Sequence, residues 1–128
     1  MICKSTFVLD DMANLPYNYS MEKPLYWLHG VIATPPMSVN ARRESGYLLR
    51  ELQRGETLSP PLCKPMKAVG PRCYELRVQD ENITWRIIVR IDPDLVLVVD
   101  VFAKKTQKTP LSILAVCKKR LREYDAQS

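Results

Sequence analysis

The chain has 128 residues, 46% of them hydrophobic, with a formal net charge of +5 and a pI near 9.1. That supplies one modest core in a single domain, and no apolar run approaches the ~20 residues of a membrane-spanning helix. Residues 1–11 lack the apolar segment of a signal peptide, so the expected location is the cytoplasm.

The charge is uneven. Residues 1–63 balance at zero, whereas residues 101–128 carry seven Lys or Arg against Glu123 and Asp125. A concentrated basic surface most often meets nucleic acid, with acidic protein and membrane headgroups as competing readings. The four cysteines, Cys3, Cys63, Cys73 and Cys117, form no Cys-x-x-Cys pair, and His29 is the sole histidine. Reduced structural thiols, with no metal and no cofactor, are the expectation. His29 itself reads as an ordinary hydrogen-bonded strand-end residue.

In chain order, residues 1–23 read as an irregular extension, because Asp10, Asp11, Asn14, Pro16 and Asn18 break any period, and the domain proper is placed at 24–128. Leu25 to Leu28 form a plausible first strand. Thr34-Pro35-Pro36 announces a helix running to about Gln53 and stopped by Gly55. Ala41, Ser45, Leu48, Leu49 and Leu52 mark its buried stripe, and Arg42, Arg43, Glu44, Arg50 and Glu51 its solvated side. Gly46 inside it suggests close backbone packing against a neighbour, since glycine there costs ~1 kcal/mol relative to alanine.

Residues 55–71 are rich in proline and glycine and read as a loop bearing Lys64 and Lys67. Three antiparallel strands follow in a meander: Cys73 to Val78, Ile83 to Ile91, and Leu95 to Phe102. Leu95 to Val99 is apolar throughout, which suits a strand covered on both faces. Alternation puts Glu75, Arg77 and Gln79 on one face of the first strand and Arg86, Ile88 and Arg90 on one face of the second. If these are the same face, Arg77 and Arg86 converge near the lysine-rich stretch that ends the third strand. That stretch, Phe102-Ala103-Lys104-Lys105-Thr106-Gln107-Lys108-Thr109-Pro110, leads into a last helix, with Thr109 as cap and Pro110 in its first turn. Ile113, Leu114, Cys117, Leu121 and Tyr124 form the apolar stripe of this helix. Lys118, Lys119, Arg120 and Arg122 lie around it, partly accounted for by the helix dipole.

Several of these pieces, in this order, carry a family likeness: Lys23-Pro24-Leu25-Tyr26-Trp27, Gly46-Tyr47-Leu48-Leu49-Arg50, Leu52-Gln53-Arg54-Gly55-Glu56, Lys64-Pro65-Met66-Lys67, Glu75-Leu76-Arg77, Trp85-Arg86 and the stretch from Phe102 to Pro110. Over residues 24–124 the chain resembles the RelE and HigB toxins of bacterial toxin–antitoxin modules, in particular the phage-derived HigB-like branch. The resemblance implies an α+β, RelE/ParE-like small domain. Its antiparallel twisted sheet would be a β-meander plus an N-terminal strand, with a long helix after the first strand and a C-terminal helix. It also implies an endoribonuclease that cuts mRNA on the ribosome by metal-independent attack of the 2′-hydroxyl. The partner would be a cognate antitoxin, often a helix-turn-helix protein.

Carried onto this sequence, the likeness assigns Arg77, Arg86 and Lys105 to phosphate positioning and transition-state charge, and Lys64, Lys67, Lys104 and Lys108 to RNA binding. Glu75, beside Arg77, is a candidate base whose plainer role is an ion pair. Tyr124 is a candidate by chemistry alone, with packing as its plainer role. Two other readings belong to the same fold: a non-enzymatic inhibitor of DNA gyrase, and an inactive relative that binds RNA or ribosomes.

Overall fold

The computed structural model describes residues 3–5, 22–28, 36–104 and 108–127, with the backbone alone for residues 3–5 and for Lys104. The elements are β1 (Cys3–Ser5), β2 (Leu25–Trp27), α1 (Val39–Gln53), β3 (Cys63–Pro65), β4 (Cys73–Gln79), β5 (Thr84–Ile91), β6 (Val96–Lys104) and α2 (Leu111–Gln127). They build one six-stranded sheet in the order β1-β2-β6-β5-β4-β3 with a helix packed on each face.

The meander β4-β5-β6 is as the alternation implies, and Val96 and Val98 point into one core while Leu97 and Val99 point into the other. The sheet as a whole, however, is mixed rather than antiparallel, because β2 pairs with β6 in parallel register, Leu25 beside Val96 and Trp27 beside Val98. The long passage through α1, β3 and the meander returns the chain beside β2 in the same direction. No local pattern encodes that pairing. Cys3–Ser5, expected within an irregular stretch, forms the edge strand antiparallel to β2. Cys63–Pro65, expected as loop, forms the other edge beside β4. Its prolines hide it from propensity, yet an edge strand tolerates proline because one side of its backbone has no ladder to donate to.

Helix α1 covers one face through Ala41, Ser45, Leu48, Leu49 and Leu52, the stripe given by the 3.6-residue period. Its start lies later than Thr34: Ser38 is the cap, accepting from the Ala41 amide at 3.1 Å. Residues 29–35, His29 and Thr34 among them, fall outside the described part. Gly55 ends the helix at φ +84°, with its amide donating to Leu52 and that of Glu56 to Glu51, a Schellman arrangement that favours glycine. Gly46 is not a close-packing site, since a Cβ built there meets nothing within 4 Å. The lead-in to β2 is tied to the helix end by Lys23 amide to Gln53 carbonyl, 2.7 Å, and Gln53 Nε2 to Lys23 carbonyl, 2.8 Å.

On the opposite face, α2 packs Cys117 and Leu121 against Ile88, Leu97 and Val99, with Ile113, Leu114 and Tyr124 partly buried beside them. A register shift between Ile88 and Val89 brings an extra residue into β6. Arg120 uses this irregularity: its guanidinium donates to the Val99 carbonyl at 2.7 Å and lies 3.2 Å from Asp100. The end of α2 is pinned by a second ion cluster, in which Arg90 grips both oxygens of Asp125 at 2.8 and 2.9 Å and also bonds Asp92. These contacts hold α2 over the half of the face that contains Arg90.

Candidate functional site

The other half of that face holds the arginines. The register places Arg77 directly opposite Arg86, with Glu75 opposite Ile88 on one side and Gln79 opposite Thr84 on the other. Directly paired residues project from the same face, so the proposed convergence of Arg77 and Arg86 is what the sheet builds. Two like charges facing each other across strands repel, and Glu75 supplies the compensation. Its carboxylate is completely buried, with Oε1 3.3 Å from Arg86 Nη1 and 3.7 Å from Arg77 Nε. Burial pulls the Arg86 guanidinium below its ordinary pKa, opposed by the Glu75 charge and reinforced by Arg77. The group remains a cation, because an arginine starts so far above neutrality.

The compensation is incomplete. One carboxylate meets two guanidiniums, and the Nε atoms of Arg77 and Arg86 are buried with no hydrogen-bond partner among the described residues. Arg90 Nε, in the structural cluster with Asp92 and Asp125, is in the same condition, so it is the surplus positive charge of the Arg77–Arg86 pair that suits an anion. Phosphate matches the forked donors of guanidinium particularly well.

Thr109 completes the arrangement in a way the sequence hides. Its hydroxyl, read as a helix cap, instead donates to Glu75 Oε2 at 3.2 Å, while the Pro110 carbonyl accepts the first amides of α2, from Ile113 and Leu114. The end of the lysine-rich stretch is thereby fastened to the arginine pair. Side-chain hydroxyls favour local backbone partners, so a long-range bond to a strand 34 residues away has no signal in local pattern.

The remaining candidates distribute unevenly. Lys64 pairs with Glu75 in the β3–β4 register and is exposed, so it flanks the arginines. Lys104 pairs with Thr84 in the β5–β6 register. Lys108 is exposed next to Thr109, and Lys67 is exposed in the turn after β3. Lys105 lies outside the described residues. Glu75 has the geometry of an ion-pair anchor more than of a base, which must reach the proton it removes. Tyr124 belongs to the other end of the face: its ring lies 5.8 Å from the Arg90 guanidinium and edge-on to Tyr26. Arg90 is four residues from Arg86 along β5, roughly 13 Å at ~3.3 Å per residue, so packing is the role the fold gives Tyr124.

Beside the arginine pair opens a cleft of about 460 Å³, reaching to Leu62 of the loop before β3 and to Asn40 and Glu44 of α1. A profile of the phage derived protein Gp49-like family (DUF891) matches residues 36–122. The chain belongs to that family. The Gp49-like segment contains α1, the arginine pair, Glu75, Thr109 and most of α2. No curated protein and no solved structure gives a significant match. No described helix is long and apolar enough to cross a membrane.

Proposed function

We propose that this Gp49-like protein is the toxin of a toxin–antitoxin module and that it cleaves mRNA on the ribosome. The observation that carries the reading is the cross-strand pair Arg77 and Arg86, two guanidiniums facing the one buried carboxylate of Glu75. Membership of a phage-derived family associated with such toxins supports it, as does the resemblance of the Phe102 to Pro110 stretch to RelE and HigB proteins.

In this reading the 2′-hydroxyl gives its proton to water and attacks the adjacent phosphorus, and the phosphorane gains negative charge as that bond forms. The P–O5′ bond then breaks, with the 5′-oxygen taking a proton from water and a 2′,3′-cyclic phosphate left behind. Arg77 and Arg86 hold the non-bridging oxygens and stabilise that charge as it develops, the effect expected of preorganised donors in a partly desolvated site. Glu75 positions the two guanidiniums. Thr109 bonds the same carboxylate, with Lys108 next to it in sequence, and Lys105 is assigned to the transition-state charge by the resemblance alone. Lys64, Lys67, Lys104 and Lys108 bind the RNA backbone. The partners are mRNA on the cytoplasmic ribosome and an antitoxin whose acidic segment covers the cationic face.

The test is a translating extract programmed with a defined mRNA. Discrete cleavage products that require translation support the ribonuclease. Intact mRNA together with inhibition of purified gyrase would replace it with the gyrase-binding reading. Intact mRNA with ribosome binding alone would replace it with an inactive relative.

A further inference from the structure

Helix α1 gives its inner stripe to the core, while its outer stripe serves neither the core nor the arginine pair. Val39, Arg43, Gly46, Tyr47 and Arg50 follow one another at spacings of three and four, on the side opposite the buried Ala41, Ser45, Leu48 and Leu52. At ~1.5 Å per residue this stripe is roughly 16 Å long. Two of its members are large groups left in water, Val39 at 62% exposure and Tyr47 at 61%. The stripe points away from the sheet. Leu76, Val78, Trp85 and Ile87 pack beneath α1, so Arg77 and Arg86 project from the far face.

Gly46 is the member that nothing within the chain requires. Glycine in the middle of an exposed helix lowers stability relative to alanine. Its φ is not positive, and a Cβ built on it meets nothing within 4 Å. The missing side chain does, however, admit a group from outside, closer to the helix axis than any other residue would allow. Charge marks the same surface. Arg42, Arg43 and Arg50 make no ion pair among the described residues, whereas Arg54 at the helix end is held by Glu22 and Glu51. Those three guanidiniums stand against Glu44, the one carboxylate of α1 that is likewise unpaired. Arginines and an exposed tyrosine around a flat spot are the composition of an interface centre.

We propose that the outer stripe of α1 is a docking surface for an acidic amphipathic helix of a separate protein, which crosses at Gly46. The visiting helix brings a small residue to Gly46 and carboxylates, one turn to either side, to Arg43 and Arg50; Val39 and Tyr47 cover its apolar seam. A helix fits better than RNA, because amides in mid-helix are already bonded within α1, and a phosphate brought close at Gly46 would gain no donor. A second copy of this chain is disfavoured by charge. Two antiparallel α1 helices crossing at Gly46 would set Arg42 against Arg50, and parallel ones would set each arginine against itself. This surface is separate from the ribonuclease site and does not depend on that reading.

The probe is a fluorescein-labelled synthetic peptide of about 20 residues, long enough to form a helix alone, with an alanine and leucine seam flanked by glutamates. Titrated with the purified protein and followed by anisotropy, it should bind saturably. Gly46→Leu, and separately the Arg43→Glu, Arg50→Glu double variant, should each weaken binding by about tenfold or more. Gly46→Leu should melt no lower than wild type, since leucine is the better helix former and open space receives it, so its loss of binding cannot be unfolding. The Arg77→Ala, Arg86→Ala variant should bind the peptide as wild type does, and a peptide with lysines in place of the glutamates should not bind. Absence of saturable binding, indifference to Gly46→Leu and to the charge reversal, or dependence on Arg77 and Arg86 would each overturn the proposal. So would a single-stranded RNA oligonucleotide whose affinity falls in Gly46→Leu, which makes RNA the occupant, or a dimer in sedimentation that Gly46→Leu abolishes, which makes it a second copy. Because the peptide titration involves no cleavage, its failure leaves the ribonuclease reading standing, and loss of the ribonuclease reading leaves this surface standing.

Discussion

Glu75 carries more of the site than its single carboxylate suggests, because it faces Arg86 and Arg77 through one oxygen and the Thr109 hydroxyl through the other. Its removal would leave a nearly buried guanidinium uncompensated, a change that typically costs ~3–5 kcal/mol, so Glu75 variants confound folding with function. Thr109 gives a cleaner probe. Thr109→Val keeps the shape but removes the donor to a buried charge, a loss of about 1.5–3 kcal/mol, whereas Thr109→Ser keeps it. Urea melts should show the valine variant destabilised and the serine variant close to wild type. Single-turnover cleavage at saturating ribosome should fall in the valine variant and recover in the serine variant. Equal rates in both would mean that the Thr109–Glu75 bond does not position the lysine-rich stretch. None of this bond was legible in sequence, where threonine before proline signals a cap; the adjacency of Glu75 and Arg77 was, because strand alternation is local.

At the scale of elements, α1 is seated by Asp80, whose carboxylate accepts from Ser38, from the Glu81 amide and from Trp85. The Ser38 amide and hydroxyl, then the Glu81 amide and Trp85, hold its pKa down to about 2 against the opposing effect of desolvation. A carboxylate with a lowered folded pKa stabilises the fold above its unfolded value and ceases to do so as pH falls through the folded one. Denaturant melts should therefore lose stability between about pH 4 and pH 2, and Asp80→Asn should flatten that segment of the curve. An identical slope in the variant would show that Asp80 does not couple α1 to the sheet. The buried stripe of α1 was readable because it follows a 3.6-residue period, and the meander because its turns are local. The edge strand β3 was not, since Pro65 and its neighbours argue for loop. The parallel pairing of β2 with β6 was not either, because it joins segments about 70 residues apart in sequence. Gly46 carried a false signal: a glycine in a helix suggests a close neighbour, and here it faces open space.

For the molecule as a whole, among the described residues the sheet has one face covered along α1 and the other covered where α2 is pinned by Arg90 and Arg120. The other half of that face holds the arginine pair, while the chain's excess of positive charge falls in residues 101–128, which include the end of β6 and α2. Part of that charge is structural, as Arg120 pairs with Asp100 and Lys119 approaches Glu123 at 4.0 Å. The lysines of the stretch are the proposed phosphate contacts. Lys104→Ala, Lys105→Ala and Lys108→Ala should each reduce the slope of log affinity against log salt by about 0.7–0.9. Unchanged slopes in all three would place the RNA surface elsewhere. The central claim is that Arg77 and Arg86 stabilise transition-state charge, whereas ribosome affinity is spread over many cations. Its most direct measurement is single-turnover mRNA cleavage at saturating ribosome by the Arg77→Ala, Arg86→Ala double variant, beside its ribosome affinity and its melting curve. The account predicts a folded protein that binds ribosomes nearly as well as wild type and cleaves at least ~10²-fold more slowly; full cleavage by the folded double variant would contradict it.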